Sequence, residues 1–123
     1  MVFLAVMIGG AIGAVSRYLI DGLFKHRAIG IPWGTFTINA TGSFGAGFIA
    51  GLIHSATYEI PEFWVLAIIT GFLSSYTTFS TWMVQSADLW KQADYTNLFV
   101  NLVGQIAVGI AAAIAGIWLA GLL

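Results

Sequence analysis

Apolar residues fill long runs of this chain, and the charged residues lie between those runs or at their ends. The stretches without any charge are 1–16, 28–58, 63–87 and 95–123. A membrane-spanning helix needs about 20 mostly apolar residues. Each of the last three stretches holds one such helix, and the first holds one when it continues through Arg17 to Phe24. The pattern predicts transmembrane helices at about 2–24, 33–54, 62–90 and 96–121.

The same pattern decides the fold class. A transmembrane β-barrel is excluded because apolar and polar residues do not alternate over strand-length segments, and four strands cannot close a barrel. Hydrophobic residues make up 59% of the chain and charged residues 7%, whereas soluble proteins carry about 25% charged residues. A soluble enzyme, a nucleic-acid-binding protein and a disordered segment are therefore excluded. We predict an all-α integral membrane protein, with residues 1–123 forming a single transmembrane domain.

Few side chains are available for acid–base or metal chemistry. The chain has no cysteine, two histidines and five carboxylates. No carboxylate lies at the middle of a predicted span, where a proton-coupled carrier normally places an ionisable group. The pattern therefore favours passive conduction through uncharged groups and predicts no enzymatic activity.

The positive charges at the loops are unevenly distributed. Lys25, Arg27 and Lys91 all fall in the first and third predicted loops. The positive-inside rule alone would place those two loops in the cytoplasm and both termini outside. Arg17 lies within the first predicted span, and Asp21 follows four residues later. An ion pair along the helix face is one interpretation of Arg17, and a position near a pore mouth is the other.

Small and polar residues mark faces of the predicted spans. Gly9 and Gly13, and likewise Gly47 and Gly51, are spaced to let helices approach closely, so we interpret them as packing positions. Asn39 in the second span is a carboxamide that must find a partner in another helix or a wet cavity. Asn101 and Gln105 in the fourth span favour either interhelical hydrogen bonds or a hydrated vestibule.

The third predicted span carries an unusual cluster of hydroxyl residues near its middle. Its members are Thr70, Ser74, Ser75, Thr77, Thr78, Ser80 and Thr81. One interpretation is an unbroken helix whose hydroxyls bond to its own backbone. The other is a break near Ser74–Thr78, which would free carbonyls for a cation such as Na⁺ and start a half-helix whose N–H end favours an anion. Phe79 and Trp82 share a face, and they either pack together or offer ring edges to a small anion.

Three segments together resemble the signatures of the Fluc fluoride channels, also called CrcB. They are Gly9–Tyr18 (GGAIGAVSRY), Gly34–Asn39 (GTFTIN) and Gly71–Trp82 (GFLSSYTTFSTW). The Thr-Thr-Phe-Ser-Thr run is the specific element of this likeness. Trp82 stands where the family usually has Phe, Ser74–Ser75 where it often has a glycine pair, and Gln85 where it often has Glu.

The resemblance implies an antiparallel, dual-topology homodimer in a bacterial inner membrane. Each of its two pores would be lined by both subunits and would export cytoplasmic fluoride passively. The resemblance assigns pore roles to Asn39, Phe79, Ser80, Thr81, Trp82, Asn101 and Gln105. It places Arg17 in the vestibule, and it gives the backbone carbonyls of Ser74 and Thr77 to a structural Na⁺ on the dimer axis. The partners it implies are fluoride, a second copy of the chain and the lipid bilayer, with no nucleic acid.

Two other functions fit the length and the helix count. A small four-helix multidrug/proton antiporter would need a carboxylate inside a span. A structural subunit of a membrane assembly would use the glycine pairs, but it would not explain amides in two spans and hydroxyls in a third.

Overall fold

A computed structural model describes residues 1–24, 30–55 and 59–123. Within these residues the chain is helical, and four segments are long and apolar enough to cross a membrane. These first to fourth spans are Val2–Phe24, Trp33–His54, Glu62–Lys91 and Tyr95–Ala120. The protein is thus a multi-pass membrane protein. Lys25 and Arg27, which contributed to the orientation prediction, lie outside the described residues.

The first two spans are single α-helices. Helix α1 comprises Val2–Phe24, and helix α2 comprises Trp33–His54 directly after Pro32. Proline suits this position because the first turn of a helix needs no backbone donor. The bounds predicted from the uncharged stretches are the observed ones for both helices.

The third span is divided into several segments. Helix α3 (Glu62–Val65) continues into a π-helical segment at Leu66–Leu73 and a short helix α4 at Ser74–Tyr76. Thr77 and Thr78 then adopt extended dihedrals, with φ −75° and ψ 157° at Thr77 and φ −148° and ψ 121° at Thr78. Helix α5 resumes at Phe79 and ends at Lys91. The backbone therefore departs from helical geometry at two residues, Thr77 and Thr78, inside the hydroxyl cluster.

The fourth span also contains a π-helical turn. Helix α6 (Tyr95–Phe99) leads into a π-helical turn at Val100–Gly104, and helix α7 (Gln105–Ala120) follows. π-Helical turns widen the helix because their hydrogen bonds run from residue i to i+5. Asp94 caps α6 by accepting the Asn97 N–H at 3.2 Å, which fixes where the fourth span begins.

The spans pack in two interleaved pairs. The first span lies against the first half of the third span, and the second lies against the second half of the fourth. A Cβ at Gly9 or Gly13 would overlap the backbone of the third span, and one at Gly47 would overlap the Ala113 carbonyl. At Gly51 a Cβ would come within 2.7 Å of the Ala120 Cβ. The prediction that both glycine pairs are packing positions is confirmed.

Helix α5 has different neighbours from the rest of the third span. It packs on α6 and on the π-helical turn at Val100–Gly104. This arrangement places the side chains that follow the interruption, Phe79 and Trp82, beside the amides of the fourth span.

Candidate functional site

A groove of about 520 Å³ lies between the second, third and fourth spans. It brings together seven of the residues singled out in the sequence: Asn39, Ser74, Thr77, Thr78, Phe79, Trp82 and Gln105. The remaining lining is small or apolar, and none of the described residues that line it carries a charge. An ion in this groove would therefore meet only neutral dipoles and aromatic rings.

Asn39 joins the second span to the interruption in the third. Its Oδ1 accepts the backbone N–H of Thr78 at 3.0 Å, and its Nδ2 donates to the Thr78 carbonyl at 3.1 Å. The same Nδ2 donates to Gln105 Oε1 at 2.8 Å. A carboxamide has two N–H donors, so both donors of Asn39 are engaged within the chain. Asn39 thus forms interhelical hydrogen bonds, and it also lines the groove.

The amides continue as a directed chain of hydrogen bonds. Gln105 Nε2 donates to Asn101 Oδ1 at 2.8 Å, and Asn101 Nδ2 donates to Ser86 Oγ at 2.9 Å. Ser86 Oγ in turn donates to the Trp82 carbonyl at 2.8 Å. Asn101 is fully buried, so it belongs to the support of the groove and does not line it. Sequence reasoning missed Ser86, although its spacing of four residues from Trp82 was a usable signal.

The interruption at Thr77 and Thr78 redirects two backbone donors. The Thr78 N–H goes to Asn39, and the Thr81 N–H goes to the Thr78 side-chain oxygen at 3.2 Å. In a continuous helix these N–H groups would bond to the carbonyls of Ser74 and Thr77. Both carbonyls therefore lose their regular helical donors.

The two aromatic residues meet edge to face. The rings of Phe79 and Trp82 have centroids 5.4 Å apart and planes at 88°. Phe79 is 68% exposed on the isolated chain, whereas Trp82 is half-buried and its Nε1 donates to the Asn101 carbonyl at 3.0 Å. Phe79 thus presents much of its ring outside the chain, and Trp82 is held in place.

Arg17 lies apart from the groove. It lines a hollow of about 240 Å³ with Asp21, Thr35, Thr78 and Thr81. Among the described residues no ion pair joins Arg17 to Asp21, although both residues line the same hollow. The hollow reaches Thr78, the residue that Asn39 holds, and so lies beside the groove.

Two further residues stand outside the groove. Ser80 is exposed and is not part of its lining, and Thr81 lines the Arg17 hollow instead. Gln85 Oε1 is a buried side-chain atom with no hydrogen-bond partner in the part of the chain that the structure describes.

Comparison with known proteins gives a consistent likeness over nearly the whole chain. A family model described as "CrcB-like protein, Camphor Resistance (CrcB)" matches residues 4–117. The chain is 38% identical to "Fluoride-specific ion channel FluC 2" of Mycobacterium bovis, covering 97% of this chain and 90% of that one. It is 39% identical to "Fluoride-specific ion channel FluC 1" of Leifsonia xyli, covering 99% and 88%. It is 37% identical to "Fluoride-specific ion channel FluC" of a Hydrogenobaculum species, with both chains fully covered.

Proposed function

The chain belongs to the CrcB family, and we propose that it is a fluoride-selective ion channel that releases cytoplasmic fluoride by passive conduction. The observation that carries this function is the groove, which combines two amides, hydroxyl-bearing residues and two aromatic rings without a charged side chain among the described residues that line it. The names of the curated relatives support fluoride as the ion. A proton-coupled antiporter is not favoured, because no described residue lining the groove is ionisable.

Neutral donors suit the passage of a strongly hydrated anion. Entry requires that fixed dipoles replace water, and exit requires that they do not hold the ion too firmly. Gln105 lines the groove and donates one of its two N–H groups to Asn101. Its second N–H is not used by any of the described residues, so it is the first amide donor that we assign to fluoride.

Asn39 would act by exchange of partners. Its two N–H groups are donated to Thr78 and Gln105, so fluoride at Asn39 replaces the Gln105 oxygen as acceptor. The bond to the Thr78 carbonyl stays in place and keeps the amide oriented. Phe79 and Trp82 supply positively polarised ring edges nearby, which attract an anion weakly.

The groove is completed by a second copy of the chain. Phe79 is largely exposed at its edge, and non-helical backbone such as that at Thr77, which is half-buried within one chain, is costly at membrane depth unless protein or water covers it. An antiparallel homodimer would cover both grooves and form two pores. Dual insertion would overrule the bias of Lys25, Arg27 and Lys91.

The backbone carbonyls of Ser74 and Thr77 fit a structural Na⁺ at the dimer axis. Both lose their regular helical donors, because the N–H groups of Thr78 and Thr81 bond elsewhere. Two copies of the chain would supply two such carbonyls each, and oxygen ligands without a carboxylate suit a monovalent hard cation. Bound Na⁺ would supply the positive charge that keeps these carbonyls together. The side chains of Ser74 and Thr77 bond back to their own helix, so we assign the backbone carbonyls, and not the hydroxyls, as the Na⁺ ligands.

We assign Arg17 to the vestibule that leads to the groove. Arg17 shares its hollow with Asp21, Thr35 and Thr81, and its guanidinium would raise the local anion concentration, an effect that the Asp21 carboxylate in the same hollow opposes. Thr81 and the exposed Ser80 would then meet the ion before or after the groove, and Asn101 would act from behind the lining through Gln105.

Fluoride efflux from proteoliposomes tests the proposed function. Vesicles loaded with potassium fluoride and treated with a potassium ionophore should release fluoride to an external electrode only when the protein is present. The same vesicles loaded with chloride should retain it, and this comparison is the control for leakage. Fluoride release that requires a proton gradient would indicate the antiporter, and no release would overturn the channel.

A further inference from the structure

We propose that Trp82 is a positioning residue that, with Ser86 and Asn101, forms a clamp between the third and fourth spans. The clamp orients the Phe79 ring and keeps the indole N–H away from the ion. This inference rests on the proposed function, because it concerns how the same groove passes fluoride.

The clamp is a closed set of three hydrogen bonds. The Trp82 indole donates to the backbone carbonyl of Asn101 at 3.0 Å, and the Asn101 side chain donates to Ser86 Oγ at 2.9 Å. Ser86 Oγ donates to the Trp82 carbonyl at 2.8 Å, which closes the set. Asn101 and Ser86 are buried, so water competes poorly for these bonds and their geometry is firmly set.

The acceptor for the indole lies in an irregular part of the fourth span. Asn101 belongs to the π-helical turn Val100–Gly104, where backbone bonding shifts from i+4 to i+5 before α7 resumes at Gln105. Such turns leave backbone groups without their regular α-helical partner. The indole of Trp82 supplies a side-chain donor at this point.

The clamp determines where Phe79 stands. Helix α5 packs on the start of the fourth span, and Trp82 is the α5 residue that contacts both Asn101 and the Phe79 ring. Because the indole cannot rotate without losing its bond, the perpendicular contact at 5.4 Å fixes the direction of the Phe79 edge. A movement of Trp82 would therefore be transmitted to the ring that we assign to the ion path.

The clamp also explains how an indole takes the place of a phenyl ring. A free indole N–H in the groove would add a donor that a phenyl ring lacks, and it would hold the anion more firmly than a ring edge does. In this chain the indole N–H is already donated to Asn101. Trp82 therefore offers the groove only carbon-bound ring edges, as a phenylalanine would.

The decisive experiment replaces the Trp82 indole by 3-benzothienylalanine, which keeps the ring shape and removes the N–H. We expect fluoride efflux to fall about two- to tenfold, the value of one net hydrogen bond lost at the conduction barrier. The ratio of fluoride to chloride flux should fall as well. The same replacement at Trp118, an exposed indole at the far end of the fourth span, is the matched control and should change neither quantity.

A second pair of variants tests the clamp from the other span. Ser86→Ala should lower both the fluoride flux and the ratio of fluoride to chloride flux, as the Trp82 replacement does. Ser86→Thr should keep both near the wild-type values because it retains the hydroxyl. Wild-type flux and selectivity in both the benzothienylalanine variant and Ser86→Ala would overturn the proposal.

An NMR measurement separates this proposal from the channel assignment. In the wild-type protein the Trp82 indole ¹H–¹⁵N resonance should exchange slowly with solvent and should not move when fluoride is added. A resonance that shifts with fluoride would show that the indole donates to the ion and would overturn the clamp. If wild-type vesicles release no fluoride while this resonance remains protected, the channel assignment fails and the hydrogen-bonded clamp stands.

Discussion

Asn39 takes part in both the fold and the proposed ion path. Its side chain bonds to both the backbone N–H and the backbone carbonyl of Thr78, and it also donates to Gln105. The sequence left two interpretations of this amide, an interhelical hydrogen bond or an ion ligand. In the structure Asn39 makes the interhelical hydrogen bonds, and it also lines the groove where we propose that the ion passes. The consequence is that replacing Asn39 changes stability and conduction together, and the two must be measured separately.

Asn39→Ala should lower both stability and fluoride flux. It leaves the Thr78 N–H, which belongs to a buried residue, without its acceptor, at a cost of about 1–3 kcal/mol. The loss of a donor to the ion should reduce efflux about tenfold or more. Thermal unfolding in detergent and efflux at a temperature where the variant is folded give the two values. Asn97→Ala is the matched control, since among the described residues the Asn97 side chain bonds to Asp94 alone; equal effects of both variants would contradict the assignment.

Phe79→Ile should impair conduction while the chain stays folded. Phe79 is 68% exposed, so the change removes little buried surface from one chain, yet it removes the polarised ring edge. An aromatic edge contributes about 0.5–1.5 kcal/mol, which corresponds to a loss of about two- to tenfold in efflux. Phe99→Ile, at a phenylalanine 65% exposed outside the groove, should conduct as wild type. Normal efflux through Phe79→Ile would remove Phe79 from the ion path.

Hydropathy alone located the helices well. The predicted third span, 62–90, differs from the observed Glu62–Lys91 by one residue at its end, and the predicted fourth span, 96–121, differs from the observed Tyr95–Ala120 by one residue at each end. The agreement is close because charged and turn-forming residues mark the ends of apolar runs. The π-helical segments were not predicted, since they change hydrogen-bond partners without changing the hydrophobic pattern. The hydrogen bond from Trp82 to Asn101 also could not be predicted from the sequence, because its acceptor is a backbone carbonyl, a group that every residue possesses.

The glycine contacts between spans predict a sharp difference between two substitutions. Gly47→Ala places a methyl group against the Ala113 carbonyl, and such overpacking should cost about 1–3 kcal/mol. Gly22→Ala meets no atom within 4 Å and should stabilise α1 by about 0.5–1 kcal/mol. Thermal unfolding of the two purified variants compares them directly. Equal stability would mean that the second and fourth spans do not pack through Gly47.

Both orientations of the whole molecule should be present in one membrane if the dimer is antiparallel. The chain has no native cysteine, so Gln92→Cys introduces a single label site in the exposed turn between the third and fourth spans. A membrane-impermeant maleimide should modify one population in intact cells and the other only after the membrane is opened. An impermeant reagent that reaches every copy, or none, in intact cells would support the single orientation favoured by the cationic loops.

Interleaved pairing of the spans also sets the order in which the chain matures during synthesis. Gly9 and Gly13 find their neighbours only after the first half of the third span has been made, and Gly47 waits for Ala113. Asn39 enters the bilayer before Gln105 exists, so its amide must first be shielded by water or by the insertion machinery. The fourth span thus completes the hydrogen bonding of the amide in the second, and a chain interrupted before it would hold Asn39 without its Gln105 acceptor inside the membrane.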